Sequence, residues 1–207
     1  GLAPEVNEAV EEAFRHGILT AASLMAAEPA AADAVARAKR LPGLRIGLHL
    51  VLVEGRPALP PEKVPDLVDA QGFFRQNMVQ AGIAFFFRPR VRRQLDAEIE
   101  AQFAAFAATG LPLDHVNAHK HFHLHPTIAG LMLRIGKRYG ARAMRVPLEP
   151  TGGLASVEAA SRGRAEVTRP WARLQRRLLG NAGSATRDQV FGLAWSGART
   201  APRLAWL

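Results

Sequence analysis

Leu44-Arg45-Ile46-Gly47-Leu48-His49-Leu50-Val51-Leu52-Val53 is nearly continuous in apolar residues and runs straight out of the breaker Leu41-Pro42-Gly43. A strand buried on both faces has this composition, and such strands belong to parallel sheets covered by helices. One residue does not fit a purely structural strand. His49 places an imidazole inside the apolar run. By itself it reads as a core histidine held by a hydrogen bond; near a second group of imidazoles it becomes a candidate metal ligand.

The sequence on either side supports the parallel reading. Residues 4–16 predict a helix, with Pro4 in the first turn, Glu5 and Glu8 near the positive end, and Arg15 and His16 before Gly17. An apolar strand over 18–25 and an alanine-rich helix over 30–40 lead to the quoted stretch. After it, residues 54–87 hold Pro57, Pro60, Pro61 and Pro65 and end in Phe85-Phe86-Phe87. They predict a long excursion with little regular structure, such as an active-site lid. A helix over 89–109 follows, with Leu95, Ile99, Phe103 and Phe106 on one stripe. The pattern then gives a strand over 113–118, a helix from Pro126 to residue 139, a short strand over 142–146, a basic helix around 171–179, a strand over 189–195 and a helix after Pro202. Strands alternating with helices over the whole chain predict a parallel α/β architecture in one domain spanning residues 1–207.

Composition narrows the chemistry. The chain has 207 residues, 48% hydrophobic and 22% charged, with no cysteine and a formal charge of +9. That excludes disorder, a disulfide scaffold, thiolate zinc sites and a cysteine nucleophile. The longest apolar run, residues 17–27, is too short to span a bilayer, and the N-terminal residues do not resemble a signal peptide, so a cytoplasmic location is expected. The positive charge is uneven. Residues 1–60 hold six Lys/Arg against seven Asp/Glu, whereas Arg88, Arg90, Arg92 and Arg93 cluster, as do seven arginines between Arg162 and Arg187. Such patches attract phosphates or anionic headgroups; no RNA-binding signature accompanies them, so no nucleic-acid partner is expected.

The chemistry concentrates in Asp114-His115-Val116-Asn117-Ala118-His119-Lys120-His121-Phe122-His123-Leu124-His125-Pro126, where five of the seven histidines fall on odd positions. In extended backbone they would share one face with Asn117. A row of imidazoles at the end of a strand and before a helix points to a divalent metal site. His125, next to Pro126, reads as a helix-entry residue. A catalytic divalent ion takes three protein ligands, one of them often a carboxylate, and no carboxylate of the chain fits. Asp114 has the opposite parity and should point away; Glu54 and Asp66 fall in the excursion.

Taken together, Gly1-Leu2-Ala3-Pro4-Glu5-Val6-Asn7-Glu8-Ala9-Val10, Gly17-Ile18-Leu19-Thr20-Ala21-Ala22-Ser23-Leu24-Met25, Gly47-Leu48-His49-Leu50 and His119-Lys120-His121-Phe122-His123 resemble the YdjC/ChbG-like carbohydrate deacetylases. Asp114-His115-Val116-Asn117-Ala118-His119 and Asp188-Gln189-Val190-Phe191-Gly192-Leu193 are most similar to the hopanoid biosynthesis-associated branch. The resemblance implies a distorted (β/α) barrel of the polysaccharide-deacetylase type. It implies a divalent ion, magnesium or zinc, held by an Asp-His-His set, and removal of acetyl groups from N-acetylated sugars. Matched residue by residue, His49 and His119 are the two histidine ligands. His121 and His123 take substrate-side or outer positions, and Arg145 a substrate-side position. The family's Asp-Asp pair, which supplies the metal carboxylate and the general base, would precede Gly1, and its His-Pro pair, a general acid, would follow Leu207. The expectation is therefore a barrel lacking its first strand and C-terminal portion. Its substrate would be an N-acetylated sugar or hopanoid glycolipid, with peripheral contact at the inner membrane through Phe85–Phe87 and the neighbouring arginines. The alternative is a catalytically dead fragment that binds a glycolipid or a partner.

Overall fold

A computed structural model of the chain describes residues 1–148, 159–181 and 185. The chain divides into two compact units, residues 1–143 and 144–207. In the first unit, β1 (Ala21–Leu24), β2 (Arg45–Leu50) and β3 (Val116–Ala118) form a parallel sheet in the order β1-β2-β3. The helices are α1 (Pro4–Arg15), α2 (Ala31–Lys39), α3 (Met78–Phe87), α4 (Pro89–Ala108) and α5 (Pro126–Arg138). Among the described residues the sheet has these three strands; the α/β parallel reading stands, and barrel closure lies outside what they display.

Alternation along the strands separates structure from chemistry. Even-numbered Leu24, Ile46, Leu48, Leu50, Val116 and Ala118 are all buried. Odd-numbered Ser23, Gly47, His49, His115 and Asn117 fall on the other face in register, because Ser23 pairs with Gly47, Leu48 with Val116, and His49 with Asn117. Helix α4 packs against β2 and buries Val91, Leu95, Ile99, Phe103 and Phe106. Pro89 opens this helix, and Gly110 ends it in a left-handed conformation (φ 72°) that only glycine adopts without cost.

The excursion differs from expectation. Residues 54–87 contain a 3₁₀ turn at Pro61–Lys63, an antiparallel bridge between Val68 and Phe74, and all of α3. Phe85–Phe87 therefore lie on a helix rather than in an irregular lid. A polar stripe on α4 holds the preceding backbone. Gln102 accepts from Val51 N–H (2.9 Å) and donates to Val51 C=O (2.6 Å). The Glu98 carboxylate accepts from Ala58 N–H (2.8 Å) and Leu59 N–H (3.0 Å), and Gln94 accepts from Asp66 N–H (2.9 Å). Spacing of four residues puts the three side chains on one helix face.

Three expected strands are shorter or reduced. Strand β1 begins at Ala21, where pairing with Arg45 begins, and Ile18 is fully exposed. Strand β3 spans only the residues facing Leu48–Leu50. Over 142–146 there are single bridging bonds, Val116 N–H to Ala143 C=O (2.9 Å) and Met144 N–H to Ala185 C=O (3.0 Å). The second unit contains α6 (Ala159–Asn181), with Pro170 inside it, and buries Ala172, Gln175 and Leu179. This helix includes the expected basic segment 171–179. The expected strand over 189–195 and the helix after Pro202 lie outside the described residues.

Candidate functional site

At the C-terminal ends of β2 and β3 the two histidines that sequence reasoning paired come together. His49 Nε2 and His119 Nδ1 lie 3.4 Å apart, with the rings edge to face at a centroid distance of 5.6 Å. They arrive there by different routes. His49 is carried by the apolar ladder of β2, whose neighbours Leu48 and Leu50 are both fully buried. His119 follows directly on β3, where the backbone leaves the sheet.

That departure corrects the expectation that all five histidines share a face. Lys120 (φ 50°) and His121 (φ 56°) adopt left-handed backbone, and residues 119–124 form a kinked 3₁₀ segment. Left-handed conformations cost a non-glycine residue roughly 1–2 kcal/mol each, and they break the two-residue period on which the parity argument depended. His121 is half-buried, while His123 turns into the core and is fully buried beside Phe122; their rings lie 6.0 Å apart. His125 is the N-cap residue of α5, and its Nε2 donates to Gly82 C=O (3.0 Å), tying α3 to the start of α5. Arg145 is half-buried and belongs to the second unit.

Burial favours the neutral form of His119. Burial lowers its pKa; Glu54 and Glu28 act to raise it and Lys120 to lower it further. Lys120 is ion-paired with Glu54, whose own backbone is left-handed (φ 52°). Glu28 is buried and accepts from Arg56 N–H at 3.3 Å. Sequence reading passed over Glu28, which lies in an alanine-rich stretch with no motif around it.

A divalent ion is implied for this site, and the pair of imidazoles fits one in part. Two nitrogens at the ordinary zinc–nitrogen distance of about 2.0–2.1 Å, seen at a tetrahedral angle, are about 3.4 Å apart. His49 Nδ1 faces Asn117 Oδ1 at 2.5 Å, the kind of support that orients a metal-binding imidazole through its other nitrogen. Among the described residues, however, no group of three or more His, Cys, Asp or Glu side chains is arranged to hold a metal ion. Two legs are present; a third is not among them.

The polar face continues beyond His49. Asn117, only 1% exposed, donates through Nδ2 to Ser23 Oγ (2.8 Å). Ser23 Oγ lies 2.9 Å from His115 Nε2, and His115 Nδ1 lies 2.9 Å from Asp114 Oδ2. Asp114, expected to point away, thus reaches its own neighbour's ring. His115 spans from β3 to β1 because Gly47, between them, has no side chain: a Cβ there would lie 2.5 Å from His115 Nε2 and 2.4 Å from His115 C=O.

With this geometry in view, similarity to known proteins can be weighed. The family model described as YdjC-like protein matches residues 1–206. A carbohydrate deacetylase of Brevibacillus brevis is 36% identical over 148 residues, covering 72% of this chain and 54% of the relative. One from Geobacillus stearothermophilus is 35% identical over 151 residues (72% and 56%), and one from Vibrio cholerae 36% over 155 (73% and 56%). The chain thus spans little more than half the length of these relatives. A crystal structure from Enterococcus faecalis V583, of a protein proposed as a cellobiose-phosphate cleavage protein, has the same fold. It superposes with a TM-score of 0.69 at 24% identity, covering 98% of this chain and 68% of that one.

Proposed function

Because this chain belongs to the YdjC-like family, we propose that it serves a carbohydrate deacetylase, a hydrolase that frees the amine of an N-acetylated amino sugar with a divalent ion, zinc or magnesium, at His49 and His119. The observation that carries the reading is the pair of facing imidazole nitrogens at the C-terminal ends of adjacent parallel strands. When bound there, such an ion supplies Lewis acidity toward the acetamide carbonyl and lowers the pKa of a water. His49 and His119 would hold it, and burial favours the neutral, ligating form of His119. In this reading the carboxylate ligand and the proton-transferring groups are those the family resemblance assigns to an Asp-Asp and a His-Pro pair, to which no residue of 1–207 is matched. His121, His123 and Arg145 are the proposed outer or substrate-side residues.

Sequential strand order with helical crossovers supports a barrel wall as the scaffold. A lipid-linked sugar, such as a hopanoid glycolipid, is supported by α3, whose Val79, Ile83, Phe86 and Phe87 form an exposed stripe followed by Arg88, Arg92 and Arg93. No described helix is long and apolar enough to cross a membrane, so contact with lipid would be peripheral. The binding-only alternative is favoured by the absence of a third ligand among the described residues. Acetate release from an N-acetylglucosaminyl hopanoid separates the two. It is measured with this chain and with a form extended by an Asp-Asp pair before Gly1 and a His-Pro pair after Leu207, before and after chelation and with zinc or magnesium restored. Chelator-sensitive release by the longer form is expected; none at all sinks the deacetylase reading, and glycolipid binding without release supports the alternative.

A further inference from the structure

We propose that Asp114, His115, Ser23 and Asn117 form a directed hydrogen-bond relay that fixes His49 with its proton on Nδ1 and its Nε2 lone pair presented toward His119, which makes Asn117 a positioning residue of the metal centre. The proposal rests on the reading of His49 and His119 as ligands.

The direction of each link follows from the one before it. An ionised carboxylate only accepts, so Asp114 Oδ2 takes the Nδ1–H of His115 at 2.9 Å. His115 Nε2 is then the acceptor nitrogen and takes the hydroxyl proton of Ser23 at 2.9 Å. The Ser23 oxygen, having donated, accepts from Asn117 Nδ2 at 2.8 Å. That orients the Asn117 amide with Oδ1 toward His49, and an amide oxygen can only accept, so the 2.5 Å contact requires a proton on His49 Nδ1. The remaining ring nitrogen, Nε2, faces His119 Nδ1. A charge at the sheet edge thus selects a tautomer four hydrogen bonds away. The three links beyond Asp114 and His115 are set by strand register, and the bare Gly47 gives His115 its passage across β2.

Asp114, His115 and Ser23 also have the separations of an acid–base–nucleophile triad. Ser23 sits mid-strand and its oxygen is already engaged by Asn117, so its placement suits relay rather than attack.

The test uses the full chain with ¹⁵N-labelled histidine, reading the His49 tautomer by long-range proton–nitrogen NMR without metal and zinc affinity by titration. Wild type is expected as the Nδ1–H form. Asn117→Leu should lose that form and weaken zinc binding about 10–100-fold, whereas Asn117→Asp, which restores an acceptor, should keep both within about threefold. Ser23→Ala, nearly isosteric, guards against misfolding of the leucine variant; a mixed His49 tautomer and weaker zinc binding are expected. An unchanged tautomer in both Asn117→Leu and Ser23→Ala overturns the relay, as does its loss with zinc affinity intact. Labelling of Ser23 by a fluorophosphonate overturns the positioning role in favour of a nucleophile. A form extended by the Asp-Asp pair that binds no zinc refutes the metal centre, while the metal-free tautomer still decides whether the relay exists.

Discussion

Replacing Gln102 by leucine tests whether the polar stripe of α4 holds the backbone that follows β2. Gln102 is 2% exposed and makes three hydrogen bonds: it accepts from Val51 N–H, and donates to Val51 C=O and to Glu98 Oε1 (2.8 Å). Leucine has nearly the same bulk, so no large cavity forms, but Val51, itself buried, is left with a donor and an acceptor unmatched. Each stranded buried group costs about 1–3 kcal/mol, and the added apolar burial returns up to about 2 kcal/mol. The net expectation is a loss of about 3 kcal/mol, a large share of the roughly 5–15 kcal/mol that holds a domain together. Urea denaturation followed by circular dichroism measures it as a lower midpoint at unchanged slope. Val51 lies two residues beyond His49, so zinc affinity should fall as well. A loss below about 1 kcal/mol would mean that this side chain does not replace the missing strand pairing, and the account of how the excursion is held would be refuted.

Gly47→Ala should cost about 1–3 kcal/mol, because its Cβ meets the His115 carbonyl at 2.4 Å and backbone cannot yield cheaply; a melting temperature equal to wild type would contradict the bridging role of His115. Burial raises the Glu98 carboxyl above its ordinary range despite its N–H donors. The folded state therefore holds this proton more tightly than the unfolded state, and stability contributed below the unfolded value near 4.5 is lost as pH rises through the folded one. Glu98→Gln should flatten that stretch of the stability–pH curve, and an unaltered slope would show that another group sets it. Phe86→Ser with Phe87→Ser should reduce flotation with anionic vesicles about tenfold while leaving stability within about 0.5 kcal/mol, since both rings are exposed; equal flotation would remove α3 from lipid contact.

Much of this was legible in the chain. The apolar run around His49 announced a parallel strand, and Pro4, Pro89 and Pro126 marked three helix starts. Helix α3 escaped because Met78–Phe87 is apolar on all sides and follows a proline-rich stretch, which masks helical periodicity. Its one local signal was Asn77, whose side chain accepts from Gln80 N–H as an N-cap. That His49 would meet the histidine cluster could be anticipated from neighbouring strand ends, while the choice of His119 within that cluster came from the family resemblance. The left-handed turn at Lys120 and His121 could not, since such backbone is uncommon outside glycine and nothing in a run of histidines marks which one adopts it. Nor could the link from Ser23 to His115 and Asn117, which joins residues more than ninety positions apart and exists only once register is fixed.

The stripe Gln94–Glu98–Gln102 grips main-chain atoms alone at Val51, Ala58 and Leu59, and at Asp66 through its N–H as well as its carboxylate. Holding peptide groups leaves most side chains of the held segment uncommitted. Substitutions at its exposed positions, such as Glu62 and Lys63, can therefore accumulate without shifting the trace of the chain, and the helix acts as a socket that accepts different side chains there in one fixed path. Loop sequence can thus change while the strands beneath it keep their register.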